Sequence, residues 1–157
     1  MLIVGVISDT HGLLRPEALA ALRGSAHILH AGDVGNAEVL AALRALAPVT
    51  AVRGNNDRGP WAEALPHDTV IDLGGASLFL LHDRAELDLD PRAAGLAAVI
   101  CGHSHKPLAE ERDGVLHFNP GSAGPRRFQL PITVGRLRIR DGRIQAEIIP
   151  LSASTSG

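Results

Sequence analysis

Five short segments gather side chains of the kinds that bind cations: Asp9-Thr10-His11, Gly32-Asp33, Gly54-Asn55-Asn56-Asp57, His82-Asp83 and Gly102-His103-Ser104-His105. Carboxylate and imidazole together suit Mn, Zn, Fe or Ni better than Ca or Mg, which prefer oxygen ligands. The donors are too many for one tetrahedral ion and enough for two. Two divalent ions about 3.5–4 Å apart can share a bridging carboxylate, activate a water between them and hold the reacting oxygens of a phosphate. Taken singly, each fragment has an ordinary reading. Asp-x-His at a strand end is commonly a turn with a hydrogen-bonded histidine, and an aspartate after a strand is commonly a helix cap or turn residue. The case for a metal centre is joint, because each fragment follows a run that reads as a strand.

Those runs come in two styles. Residues 2–7, 26–29 and 49–52 are short apolar strands, and each empties into one of the polar segments. Between them lie helical patterns. One opens at Pro16-Glu17, places Leu19 and Leu22 on one face and stops at Gly24; the next is capped by Asn36, repeats Leu40, Leu43 and Leu46, and ends at Pro48. Strand, loop and helix in alternation predict an α/β domain whose site lies beyond the carboxyl ends of the strands. The second half predicts hairpins: 69–73 with 77–81 around Gly74-Gly75, and 132–149 broken at Asp141-Gly142. A short helix is expected over 91–94 and some preceding residues, and strands at 96–100 and 116–118, the last leading into Asn119-Pro120-Gly121-Ser122. In the final hairpin Ile132, Val134, Leu137 and Ile139 alternate with Arg136, Arg138, Arg140 and Arg143, which reads as a solvated face. Two sheets packed face to face, with helices outside, reconcile the halves. Residues 1–151 are expected to form one domain, followed by a small, polar, frayed tail at 152–157.

Composition narrows the function classes. The 157 residues are 45% hydrophobic and 20% charged, a globular balance, and aromatics make up only 3%. A net charge of -2, without a dense basic patch interleaved with aromatics, argues against nucleic-acid binding. Cys101 is the only cysteine, so no intrachain disulfide forms, in keeping with a cytoplasmic protein. Apolar runs fall well short of the roughly 20 residues of a membrane span.

Taken in order from Asp9 to Ser122, the fragments resemble the calcineurin-like metallophosphoesterase superfamily, in particular its small bacterial and archaeal phosphodiesterase branch. The resemblance implies a four-layer α/β/β/α sandwich with two face-to-face mixed β-sheets and a dinuclear centre of divalent transition ions, with Mn expected and Ni, Zn or Fe as alternatives. By the match, Asp9 and His11 bind the first metal, Asp33 bridges, Asn55, His82 and His103 bind the second, and His105 returns to the first. Asn119-Pro120-Gly121-Ser122 matches a turn that supports the site. The reaction implied is hydrolysis of a phosphate diester by in-line attack of a hydroxide shared by the metals, with no covalent enzyme intermediate.

The neighbours of the ligand set differ from the family pattern. Larger relatives carry a histidine directly after the metal-binding Asn; here Asn56 can donate a hydrogen bond but cannot act as a general acid near pH 7. Asp57 matches an acidic position of the small branch and is expected to orient a ligand histidine. After His82 stand Asp83 and Arg84; Arg84 is either a phosphate contact or a solvent-facing residue. His30 and His117 read as packing residues, His27 and His67 as surface ones, and Trp61 as a buried helix start. The expected substrate is a small phosphate diester. A phosphomonoesterase with the same centre is the first alternative. A non-catalytic interaction scaffold is the second, since a eukaryotic trafficking subunit of this superfamily resembles the small phosphodiesterases. Exposed-looking strands leave room for a homodimer.

Overall fold

The computed structural model describes residues 1–151; the tail assigned to 152–157 lies outside the described residues. Ten strands and three helices alternate in the order β1 (Leu2–Ile7), α1 (Pro16–Leu22), β2 (His27–His30), α2 (Ala37–Arg44), β3 (Val49–Ala51), α3 (Pro60–Glu63), β4 (Asp68–Leu73), β5 (Ala76–Leu81), β6 (Ala98–Ile100), β7 (Leu108–Arg112), β8 (Val115–Asn119), β9 (Thr133–Arg140) and β10 (Arg143–Pro150). A 3-10 turn occupies Arg84–Glu86. The strands form two five-stranded sheets, β10-β9-β1-β2-β3 and β4-β5-β6-β8-β7.

Both sheets are mixed, and each contains three adjacent parallel strands. β1, β2 and β3 run parallel, β9 pairs antiparallel with β1, and β10 pairs antiparallel with β9 at the edge. β5, β6 and β8 likewise run parallel, with β4 and β7 antiparallel at the two edges. Each sheet therefore has a parallel triplet whose carboxyl ends can face one crevice. Burial explains the alternation within these strands. Val4, Val6 and Leu29 of the first sheet meet Leu78, Leu80, Ile100 and Phe118 of the second between the layers. Ile7 and Ile28 turn the other way, onto Leu22 of α1 and Leu40 and Leu43 of α2. Asn36 caps α2, its side chain accepting from the Val39 amide at 3.1 Å.

The second sheet's outer face carries Phe79, Leu81, Val99, Cys101 and Val115, with Leu87 packed over them. Here the expected helix over 91–94 is instead a series of turns. Asp90 accepts from the amides of Arg92 and Ala93, and the segment has no apolar period to dock a helix. β7 carries no strand signal in the sequence. Leu108–Arg112 carries only Leu108 and Ala109 as apolar residues, and β7 pairs with β8 as a sheet edge. In the β9–β10 hairpin the arginines are not uniformly solvated: Arg136 donates to the Ala21 carbonyl and, with Arg138, to Glu147. Among the described residues no helix is long and apolar enough to cross a membrane.

Candidate metal centre

Every cation-binding segment leaves the carboxyl end of a parallel strand. β1 delivers Asp9 and His11, β2 delivers Asp33, and β3 delivers Asn55, Asn56 and Asp57; across the crevice β5 delivers His82, and β6 delivers His103 and His105. Turning these side chains toward one point takes an unusual backbone. Asp9, His11, Asp33, His103 and His105 all have positive φ, at 57°, 47°, 55°, 70° and 64°. The left-handed region costs a residue with a Cβ roughly 1–2 kcal/mol. Only three other described non-glycine residues adopt it, Asp113, Phe128 and Asp141. Strain gathered at one place in this way marks a site that the surrounding structure has to hold.

At the centre stand two buried carboxylates. Asp9 Oδ1 is 3.4 Å from His105 Nε2 and 3.9 Å from both His11 Nε2 and His82 Nε2. Asp33 Oδ2 is 3.4 Å from His82 Nε2 and 3.7 Å from His11 Nε2. Asn55 Oδ1 and His103 Nδ1 approach the same His82 nitrogen at 3.0 and 3.3 Å. Two donor groups result, Asp9-His11-His105 and Asp9-Asp33-His82. Asp9 belongs to each group, and Asp33, expected as the bridge, faces a histidine of each.

The hydrogen bonds behind these atoms fix which lone pairs point inward. His82 Nδ1 lies 2.7 Å from the Ala31 carbonyl, which can only accept. Nδ1 therefore carries a proton, and in the neutral ring the Nε2 lone pair faces Asn55, Asp33 and Asp9. Asp33 is held from behind by Asn56, whose backbone N–H donates to Oδ1 at 2.9 Å and whose side-chain amide donates to Oδ2 at 3.0 Å. Asp9 Oδ2 accepts from the Ser8 hydroxyl and the His103 amide. Asp9 Oδ1 and His11 Nε2 remain buried with no hydrogen-bond partner among the described residues.

Such a convergence of unshared electron pairs asks for positive charge. Burial opposes ionisation of Asp9 and Asp33. The neighbouring imidazoles of His105 and His82, the Ser8 hydroxyl on Asp9 and the Asn56 donors on Asp33 outweigh it and hold both carboxyls below the usual range. Burial likewise opposes the imidazolium of His82, but its contacts with Asp33, Asp9 and the Ala31 carbonyl raise its pKa. The orphaned oxygen and nitrogen, the inward lone pairs and the mixed O/N donor set all fit divalent transition ions.

Supporting residues complete the cradle. Asn119 donates through Nδ2 to the Gly102 carbonyl and to Ser104 Oγ, while Ser122 donates to the Asp9 carbonyl, so the Asn119–Ser122 turn braces the β6 and β1 exits together. Asp57 does not orient a histidine, as the sequence reading expected. Its Oδ2 accepts from the amides of Val34 and Gly54 and its Oδ1 from Gly35, so both oxygens are spent on backbone. His117 is buried, but its Nδ1 has no partner among the described residues. His27 is half-buried beside Thr50, and Trp61 packs against the helical core.

A cavity of about 310 Å³ opens over Asn55, His82 and His103. Its wall includes an ion pair that sequence reading missed, His67 Nε2 with Glu86 Oε1 at 2.6 Å. Residues so far apart in sequence, each unremarkable alone, gave no signal of meeting.

Comparison with known proteins agrees with this geometry. Residues 1–142 match the family described as the calcineurin-like phosphoesterase superfamily domain. A probable metallophosphoesterase of Methanothermobacter thermautotrophicus is 35% identical, with 97% of this chain and 94% of that protein covered. Phosphodiesterase YfcE of Escherichia coli is 29% identical over 83% of this chain and 84% of its own. Among solved structures, vacuolar protein sorting 29 of Entamoeba histolytica, determined with Zn2+, superposes with a TM-score of 0.74 at 26% identity, covering 96% of this chain and 100% of that one. With two metal-binding groups at the mouth of a two-sheet sandwich and a family match over nearly its whole length, the chain belongs to the calcineurin-like phosphoesterase superfamily and is a metal-dependent phosphoesterase.

Proposed function

We propose that this protein is a phosphodiesterase acting on small phosphate diesters, with two divalent transition ions, Mn first among them, held by Asp9, His11, Asp33, Asn55, His82, His103 and His105. One observation carries the reading: Asp9 and Asp33, both buried and ionised, meet the histidine nitrogens at 3.4–3.9 Å from two opposing sheets. The preference for diesters draws on the relatives named phosphodiesterases. When bound, the ions supply Lewis-acid charge that lowers the pKa of water and neutralises charge developing on phosphate oxygens.

The chain's own residues do the positioning. His82 keeps its proton on Nδ1, anchored to Ala31, and so presents Nε2 as a lone pair. Asn56 clamps Asp33 through two donors and fixes its orientation. As an amide it has no proton to give near pH 7. Leaving groups that depart without protonation, such as aryl oxides, are therefore expected to be cleaved far faster than alkoxides. Cys101 is not a nucleophile in this scheme, since burial pushes its thiol up to about 11. Its burial as a free thiol is in keeping with a cytoplasmic protein.

The test is reconstitution. Metal-free protein given Mn, Ni, Zn or Mg should hydrolyse bis-p-nitrophenyl phosphate, and more slowly p-nitrophenyl phosphate. Asp33→Asn should lower the diester rate by at least 100-fold, on the scale of losing one electrostatic contact in a transition state. A monoester rate above the diester rate would favour the phosphomonoesterase reading. No turnover of either by folded, metal-loaded protein would leave the interaction scaffold, the role suggested by its likeness to the sorting protein.

A further inference from the structure

A second cavity, of about 600 Å³, adjoins the metal centre at Gly102 and His103 and is lined by Arg84, Ser104 and Lys106. Three donors in this wall have no acceptor among the described residues. Arg84 makes no ion pair there, and its Nη1 is buried without a partner. Lys106 makes no side-chain hydrogen bond or ion pair among the described residues; its backbone N–H donates to Ser104 Oγ. Ser104 Oγ already accepts from that amide and from Asn119 Nδ2, so its own hydroxyl proton is free to donate. Among the described residues the wall holds one carboxylate, Asp83, whose Oδ1 accepts from the Ala85 amide and whose Oδ2 faces His103 Nε2 at 3.8 Å.

An arginine on a solvated face does not look like this. A buried donor left unpaired costs about 1–3 kcal/mol, and more when it is charged. A guanidinium fork, an ammonium and a hydroxyl make a donor-only set, which matches an oxyanion. It stands one histidine away from the place where phosphate would be cleaved.

We propose that this cavity is an anion subsite, so that the substrate is a phosphate diester bearing a second anionic group, phosphoryl or carboxyl, on one of its ester arms. The proposal rests on the phosphodiesterase reading and adds the substrate class to it. Arg84 and Lys106 hold the second anion, Ser104 donates to it, and the scissile phosphate is thereby registered over His82 and His103.

The experiment compares three p-nitrophenyl diesters on metal-loaded protein, whose other arm is propyl, 3-carboxypropyl or 3-phosphopropyl. The charged arms should raise kcat/KM at least tenfold over propyl, chiefly through KM. A phosphoryl source is indicated if the 3-phosphopropyl ester is preferred, a carboxyl source if the 3-carboxypropyl ester is. In Arg84→Met and Lys106→Gln the ratio of charged to neutral kcat/KM should fall at least tenfold. Propane-1,3-diol bisphosphate should also bind metal-free wild type more tightly than metal-free Arg84→Met, by at least fivefold in calorimetry. Arg84→Met, which removes an unpaired buried donor, should melt no lower than wild type. Equal kcat/KM for all three esters, or a ratio unmoved by either variant, overturns the subsite while leaving the phosphodiesterase intact. Failure of every ester, with bis-p-nitrophenyl phosphate also inert, instead overturns the underlying reading.

Discussion

His30 sits at the end of β2, fully buried, with each ring nitrogen assigned by its neighbour. Thr10 donates its hydroxyl to the Val34 carbonyl at 2.7 Å, so at 3.0 Å from His30 Nε2 it must accept; Nδ1 in turn accepts from the Gly32 amide at 3.1 Å. Only the neutral Nε2–H tautomer satisfies both. Burial drives the pKa down from 6.5 to about 4. Between those values the unfolded chain binds a proton that the native one refuses, so stability is lost as pH falls through that window and is unaffected above it. At 1.36 kcal/mol per unit the loss is about 3 kcal/mol. Urea denaturation of metal-free protein at pH 8 and pH 4.5 should show it. His30→Gln should be less stable at pH 8 yet lose about 3 kcal/mol less on acidification; an unchanged pH dependence would remove His30 from the account. Asp57 makes a contrasting case. Its two oxygens accept from three amides on two loops. Asp57→Asn keeps one acceptor and turns the other into a donor facing N–H groups. A destabilisation of about 3 kcal/mol is expected, or about 6–12 °C in Tm, together with weaker metal binding. Equal Tm in the two proteins would contradict the bracing role.

Elements rather than single side chains decide how closely the donors approach. The exit loops of β2 and β3 touch at Gly54, where an added Cβ would lie 2.2 Å from the Asp33 amide nitrogen and 2.1 Å from Asp33 Oδ1. Across the crevice, the exits of β1 and β6 touch at Gly102, where a Cβ would meet Ser8 Oγ at 2.0 Å and Asp9 Oδ2 at 2.7 Å. Neither partner is the end of a flexible chain, so the loop itself has to retreat. Gly102→Ala should therefore spare the sheets and loosen the site: near-native far-ultraviolet circular dichroism with at least a tenfold loss of metal affinity by calorimetry. Retained affinity would show that the loops tolerate the shift. This is also the scale at which the sequence was least legible. The strand–loop–helix alternation and the two hairpins could be read because apolar periods and Gly-Gly or Asp-Gly turns are local signals. The edge strand β7 and the turns over 91–95 could not, because they are set by pairing and by Asp90 rather than by a hydrophobic pattern. The same division runs through the site. Asp-x-His and His-x-His announce donors. The three amides on Asp57 and the pairing of His67 with Glu86 exist only once distant loops are brought together.

At the scale of the whole molecule, the centre stitches two sheets that otherwise meet mainly through apolar side chains. Asp9, His11, Asp33 and Asn55 leave the first sheet, and His82, His103 and His105 leave the second. Ions bound between them act as a cross-link that exists only in the folded state, so they should stabilise it by mass action. One site at 100 times its Kd adds about 2.7 kcal/mol, which is about 5–11 °C in Tm for a domain of this length. Stripping the metal with a chelator should lower Tm by at least that much, and Mn should restore it. The loss should also be local in origin. Hydrogen exchange in the metal-free protein should quicken at residues 9–12, 32–35 and 102–105, where backbone is held in left-handed conformations against the repulsion of ionised carboxylates, and at 54–57, which is hydrogen-bonded to Asp33. The β9–β10 hairpin, whose register runs unbroken from Arg143 opposite Arg140 to Pro150 opposite Thr133, should exchange at the same rate in both states. A uniform change across the chain would mean that the ions act on global stability without ordering the loops. The strain at Asp9, His11, Asp33, His103 and His105 would then be borne by the protein alone, and the Asn119–Ser122 brace, rather than the metal, would be what keeps the two sheets' donors in register.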